Sequence, residues 1–328
     1  MRVVVCGVGA IGGTVAAALA LSGQEVVGIA RGAQFDAIRA RGLRLRTPDA
    51  DRVARFDCVA DPGEIAFRAD DAILLAMKTQ DTAAALDALR AAGVADQPVF
   101  CAQNGVANER LALRRFPNVH GVTVMMPATF LVPGEVAAAS TPRHGVFDLG
   151  RYPSGSDGDD ARMAAALERA NVAAFVSRAV MESKYGKLLL NLRNMLEAAL
   201  GPEADTEPFM APLLAEAKAV FAAAGIRWRD VGGGDARRAL MRQAPVAGVA
   251  RSGGSSTQSL ARGTGSLETD WLNGEVVLLG RLHGVPTPAN AFLVGLGARL
   301  VREGRPPGSV TPAEIAAGYA AAGVAPAA

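Results

Sequence analysis

The stretch Val3-Val4-Val5-Cys6-Gly7-Val8-Gly9-Ala10-Ile11-Gly12-Gly13, continued by an alanine-rich run to Leu21, decides the fold. The β-branched apolar run reads as a buried parallel strand, the glycines as a tight turn and the alanine-rich run as a helix. Gly7, Gly9 and Gly12 have the GxGxxG spacing. The first glycine permits the turn, the second lets a pyrophosphate approach the backbone, and the third lets the helix pack closely on the strand. Amide N–H groups and the positive end of the helix dipole then face the phosphates. Gly7, Val8, Gly9, Ala10, Ile11 and Gly12 are therefore candidate dinucleotide-binding residues. Residues 3–21 are uncharged and mostly apolar behind Arg2, so a signal peptide or membrane span is the competing reading. Four glycines within seven positions and a single preceding arginine argue against it.

A second strand over residues 25–30 follows at the spacing of a βαβ unit. The residue after it bears on the cofactor. NAD-binding folds of this type carry Asp or Glu here to hold the ribose 2′-hydroxyl. This chain reads Ala30-Arg31-Gly32. A carboxylate would repel a 2′-phosphate, whereas Arg31 can pair with one through two N–H donors. NADP(H) is favoured, with a solvated surface arginine as the plain alternative.

Residues 72–77 form a continuous apolar run, as in a central parallel strand, and end at Lys78. Ligands of open α/β sheets sit outside the carboxyl ends of strands, which sets Lys78 at the crevice. A snorkelling lysine is the alternative. The strand at 98–102 ends in Gln103-Asn104-Gly105, an ordinary turn sequence that also brings Asn104 to the same rim. Residues 43–60 alternate like a hairpin around Thr47-Pro48-Asp49. Strands at about 119–126, 134–139 and 145–149 are expected to complete the sheet, and one near 173–176 closes the first domain.

From about residue 179 the periodicity turns helical, and a single helix is expected over 181–200. At 100° per residue, Lys187, Asn191 and Asn194 fall within about 60° of one another. Two amides beside a lysine on an otherwise apolar helix need partners, so this face is expected to line a cleft or a wet interface. A structural polar face is the alternative. Further helices are expected at 208–224 and 236–242. The serine- and glycine-rich residues 251–265 read as a flexible linker by composition. Ser266 is a candidate cap for the helix that follows, and capping chemistry alone accounts for Glu268 in its first turn.

The fold class expected is an α/β Rossmann-type dinucleotide-binding domain over 1–178, followed by an all-α domain over 179–315. Residues 316–328 are read as a disordered tail, although 311–322 also carries a helical pattern. The charge of the 328-residue chain is nearly balanced, at +2, and no basic stripe with interleaved aromatics suggests a nucleic-acid partner. Neither a membrane partner nor a metal site is expected. Cys6, Cys58 and Cys101 have no redox or metal spacing; Cys6 and Cys101 fall in core strands and read as inert buried thiols, and a cytoplasmic protein is expected.

Together these pieces resemble the ketopantoate reductase (2-dehydropantoate 2-reductase) family over nearly the full length. The matching landmarks are Gly7-Val-Gly-Ala-Ile-Gly12, Arg31, Met77-Lys78, Gln103-Asn104-Gly105 and Lys187-Leu-Leu-Leu-Asn191. Ser255-Ser256, Glu268-Thr-Asp-Trp-Leu-Asn-Gly274 and His283-Gly-Val-Pro-Thr-Pro288 follow. The resemblance implies a Rossmann domain and a helical domain with the active site in the cleft between them, and NADPH-dependent reduction of ketopantoate to (R)-pantoate. It makes Lys187 the catalytic lysine, Asn191 a substrate-binding amide and Ser256 a substrate contact. Lys78, Asn104 and Glu268 would line the cofactor and substrate cleft, with Met126 near the nicotinamide. Glu268 would hold the lysine or accept a substrate hydroxyl. Dimerisation through the helical domain also comes from the family.

Two positions depart from the family pattern. Its second helix amide, eight residues past the lysine, is Met195 here, with Asn194 one position earlier as the candidate replacement. Its aspartate four residues past the second serine is Leu260. Two alternatives follow: a same-fold NADPH reductase of another 2-keto acid or related carbonyl, and a non-catalytic NADP(H) sensor. Lys187 with Glu268 argues against the sensor.

Overall fold

The computed structural model describes residues 1–250, 253–263 and 265–324. They form two compact units. The first comprises Met1–Lys184 and Asp230–Ala250; the second comprises Tyr185–Arg229 and the described part of Arg251–Ala328.

The first unit opens with β1 (Arg2–Cys6), α1 (Ala10–Leu21), β2 (Val26–Ile29), α2 (Gly32–Arg41), β3 (Leu43–Arg46), β4 (Asp51–Ala54) and β5 (Asp57–Val59). It continues with β6 (Asp71–Leu75), α3 (Thr82–Ala91), β7 (Val99–Cys101), α4 (Asn108–Leu113), β8 (Val119–Met125), β9 (Ala128–Val132) and β10 (Glu135–Ala138). β11 (Ser140–Pro142), β12 (Val146–Arg151), α5 (Gly158–Arg169), β13 (Ala173–Val176) and the later β14 (Met241–Gln243) complete it.

Eight strands form the main sheet in the order β13-β12-β8-β7-β6-β1-β2-β5, parallel except where β12 meets β8. β1 is central because both of its faces are apolar. Val3 and Val5 join Ala16, Ala17 and Leu19 of α1 in one core, while Val4 and Cys6 join Ile73, Leu86 and Leu89 in the other. The chain leaves β1 for β2 on one side, and β6 lies on the other. This reversal of strand order opens a crevice at the carboxyl ends of β1 and β6.

Three expectations for this unit are corrected. The strand expected at 134–139 is β10, but it belongs to a separate four-stranded sheet, β4-β3-β10-β9. It pairs parallel with β3, which directs Val136 and Ala138 into the core shared with α1. The hairpin of 43–60 exists as β3 and β4, but residues 57–59 leave it to become the edge strand beside β2. Residues 236–242 are a 3₁₀ turn, Ala236–Leu240, and then β14 paired antiparallel with β11. Arg237 holds this segment down on Asp148 and Asp235, with its guanidinium over the Phe175 ring.

α6 (Val180–Asn191) begins in the first unit and crosses into the second. The second unit then has α7 (Asn194–Leu200), α8 (Met210–Ala223), α9 (Ser255–Ala261), α10 (Asn273–His283), α11 (Pro288–Arg302) and α12 (Pro312–Ala321). The single helix expected over 181–200 is therefore two helices, broken at Leu192-Arg193. Asn273 Nδ2 donates to the Leu192 carbonyl at 3.3 Å, and Arg193 pairs with Thr206 and Glu207. The break means that the angular argument places Lys187 and Asn191 together but does not extend to Asn194.

The serine- and glycine-rich stretch forms α9; Arg251, Ser252 and Thr264 lie outside the described residues. Ser266 is not the cap of the next turn, Glu268–Trp271, because Leu267 occupies that position and no side chain caps it. α12 occupies much of the expected tail and starts in a capping box of Thr311 and Glu314; residues 325–328 lie outside the described residues. Among the described residues no helix is long and apolar enough to cross a membrane.

Candidate active site

The glycine turn has the geometry of a phosphate cradle. Gly7 has φ +93°, and a Cβ there would meet the Met77 backbone nitrogen at 2.7 Å. A Cβ on Gly12 would lie 2.2 Å from the Gly7 carbonyl oxygen, so only glycine lets α1 start this close to β1. At Gly9 a Cβ would meet nothing within 4 Å, and that side of the turn is open. α1 has no side-chain cap and no acidic residue in its first turn. Its first amide N–H groups and dipole are thus available to an anion, and the cradle fits a dinucleotide pyrophosphate. Gln34 donates to the Val8 carbonyl at 2.9 Å and accepts from Gly134 N at 2.7 Å, bracing the turn. Nothing in the sequence around Gln34 pointed to that role.

The other candidates of the first unit collect at the same edge of the sheet. Register pairs Cys6 with Ile29 and with Leu75, and Leu75 with Cys101. Arg31, Lys78 and Asn104 therefore all follow parallel strands at their carboxyl ends. Arg31 is exposed, extended and immediately before α2, with no acidic residue in that helix's first turn. Lys78 and Asn104 are half-buried. The loops that carry them are tied together by Asn108, whose Nδ2 donates to Thr79 Oγ1 at 3.2 Å and to the Asn104 carbonyl at 3.1 Å. Thr82 Oγ1 donates to Asn108 Oδ1 at 2.8 Å and closes the network. Asn108 and Thr82 are the first residues of α4 and α3, where a polar side chain reads as ordinary helix-start chemistry, so nothing in the pattern singles them out. Met126 follows β8, half-buried against the α1-side core.

The second unit supplies the remaining candidates. Lys187, half-buried, and Asn191, 4% exposed, lie one turn apart on one face of α6. Asn191 Oδ1 is buried without a hydrogen-bond partner among the described residues. Three successive hydroxyls opening α9, those of Ser255, Ser256 and Thr257, are in the same condition. Glu197 on α7 holds that helix start, accepting from Gly254 N at 2.6 Å. Buried polar atoms rarely go unpaired unless something else pairs with them. Glu268 is buried at the start of its turn, and Asn194 is half-buried at the start of α7. Met195 turns into the core instead, where its sulfur accepts from Thr269 Oγ1 at 3.4 Å.

Other reactive groups are accounted for. All three cysteines are free and buried, and burial pushes the Cys6 thiol up to about 12 and the Cys58 thiol up to about 11. His120, Asp157 and Asp159 gather like metal ligands, but the His120 ring nitrogens already contact Asp160 at 2.7 Å and Asn118 at 2.9 Å. Asp157 pairs with Arg151.

A glycine cradle at a helix N-terminus, on the crevice of a parallel sheet rimmed by lysine, arginine and amide, defines a nicotinamide dinucleotide-dependent oxidoreductase. The family model for ketopantoate reductase PanE/ApbA matches residues 3–154, and the model for its C-terminal domain matches residues 172–300. A 2-dehydropantoate 2-reductase of Halobacterium salinarum is 28% identical over 311 residues, covering 93% of this chain and all of the relative. The crystal structure of a PanE/ApbA family ketopantoate reductase from Ralstonia eutropha JMP134 superposes with TM-score 0.75 at 30% identity, covering 92% of this chain and 99% of the other. D-mandelate dehydrogenase, solved with NADH and anilino(oxo)acetate, shares the fold at 22% identity and TM-score 0.75, over 93% of this chain and 99% of its own. The chain belongs to the ketopantoate reductase family.

Proposed function

We propose that the protein reduces ketopantoate to (R)-pantoate with NADPH, on the route to pantothenate. The observation that carries the substrate-binding part of this reading is a group of buried polar atoms in the second unit with no hydrogen-bond partner among the described residues: Asn191 Oδ1 and the three hydroxyls opening α9. A bound keto acid would satisfy them. When bound, the dinucleotide supplies the hydride. Gly7–Gly12 and α1 hold its pyrophosphate, and Arg31 pairs with its 2′-phosphate. Lys78, Asn104, Met126 and Glu268 complete the cofactor contacts.

As the keto carbon becomes tetrahedral, negative charge builds on its oxygen. The Lys187 ammonium stabilises that charge and donates the proton. Glu268 holds the lysine, while Asn104, Asn191, Asn194 and Ser256 orient the substrate. A cytoplasmic homodimer formed through the helical unit belongs to the same reading and rests on the family alone.

A second reading, reduction of a different 2-keto acid, is favoured by Met195, which is buried against Thr269 and offers no amide. Turnover of ketopantoate beside pyruvate and 2-ketoisovalerate, followed by NADPH absorbance, separates the two. Preference for ketopantoate supports the first reading, and preference for either competitor supports the second.

A further inference from the structure

α6 carries a second lysine, Lys184, one turn before Lys187. Its side chain is 3% exposed and forms an ion pair with the fully buried Glu109 carboxylate of α4. Its ammonium also donates to the Cys101 carbonyl at 3.2 Å and to the Gln103 carbonyl at 3.1 Å. Three acceptors match the three N–H donors of an ammonium, so Lys184 has no proton to spare for a reacting group. Space for it comes from Gly121 in β8, opposite Cys101. A Cβ on Gly121 would sit 3.5 Å from both Lys184 Cδ and Glu109 Oε1.

A buried lysine–glutamate pair is costly, and apolar residues of similar size would serve stability as well or better. What the pair does that leucine and methionine could not is grip two carbonyls at the end of β7. The second of them belongs to the peptide linking Gln103 to Asn104. Asn108, next to Glu109 in α4, binds the Asn104 carbonyl on the other side at 3.1 Å. The turn that presents Asn104 is thus held from both ends by one helix start.

We propose that Lys184, with Glu109, is a positioning residue that fixes the Gln103–Asn104 peptide so that Asn104 meets the bound cofactor. This rests on the reading of Asn104 as a cofactor contact. Three variants of the full chain test it by NADPH fluorescence titration: Lys184→Met, Asn104→Ala and the two combined. A fourth, Lys184→Met/Glu109→Leu, removes both charges together and is also followed by melting temperature.

Lys184→Met is expected to weaken NADPH binding about tenfold or more. Adding it to Asn104→Ala should cost little further, because both changes act on one contact. The paired apolar variant should melt near the wild-type temperature yet keep the weakened binding. Wild-type affinity in Lys184→Met, additive losses in the cycle, or affinity that returns with stability in the apolar pair would each overturn the proposal. A wild-type protein that itself fails to bind NADPH would overturn the underlying reading, and the proposal with it.

Discussion

Replacing Ser256 by alanine separates a role in the fold from a role in ligand binding. Ser256 is 1% exposed in the first turn of α9, and its Oγ has no partner among the described residues. A buried hydroxyl left unpaired costs about 1–3 kcal/mol. Alanine removes that cost at the expense of one oxygen atom's volume. The ligand-free protein should therefore keep its stability or gain ~1 kcal/mol, which corresponds to about 2–4 °C in melting temperature for units of this size. Catalysis should move the other way. A hydrogen bond to a charged substrate group is worth about 1.5–3 kcal/mol, so kcat/KM should fall roughly tenfold to a hundredfold. Calorimetry without ligands and NADPH oxidation with substrate give the two numbers. Met195→Ala is the contrasting control: Met195 is buried core, and its truncation should cost about 2–5 kcal/mol of stability. A Ser256→Ala protein that melts several degrees lower while keeping its kcat/KM would show that the hydroxyl serves the fold and not the ligand.

Arg31→Ala should weaken NADPH binding by about tenfold to a hundredfold and leave NADH nearly unaffected, measured as the ratio of the two dissociation constants. Gly12→Ala should cost about 1–3 kcal/mol in denaturant unfolding and weaken cofactor binding, because the new Cβ would press on the Gly7 carbonyl. With Cys6 at about 12 and Cys58 at about 11, the thiolate fraction of Cys58 at pH 8 is only about one in a thousand. Burial also raises Cys101 well above its ordinary value. Ellman's reagent should therefore label the native protein only as fast as it unfolds, and all three thiols at once in denaturant.

The first unit was legible because its signals are local. A β-branched run with three spaced glycines admits few structures, and parallel-strand chemistry brings Arg31, Lys78 and Asn104 to one rim whatever happens elsewhere. Alternation in 134–139 shows a strand but not its neighbours, so the pairing of β10 with β3 in the smaller sheet is not legible there. The break at Leu192-Arg193 depends on Asn273, eighty-one residues away. Composition could not show α9, whose start is held by Glu197 across a separation of fifty-seven residues. Met195 illustrates the same limit: the family pattern has an amide at its position, and only the thioether contact with Thr269 shows that this residue has a core role here.

The proposed role of Lys187 as proton donor to a 2-keto acid can be checked with a single paired assay. NADPH oxidation is followed with ketopantoate for the wild type and Lys187→Ala, with NADPH affinity measured on the same samples. With Lys187 as the acid, the wild type turns over, kcat falls at least about a hundredfold in the variant, and NADPH affinity is unchanged. A Lys187→Ala protein that retains wild-type kcat would contradict that role.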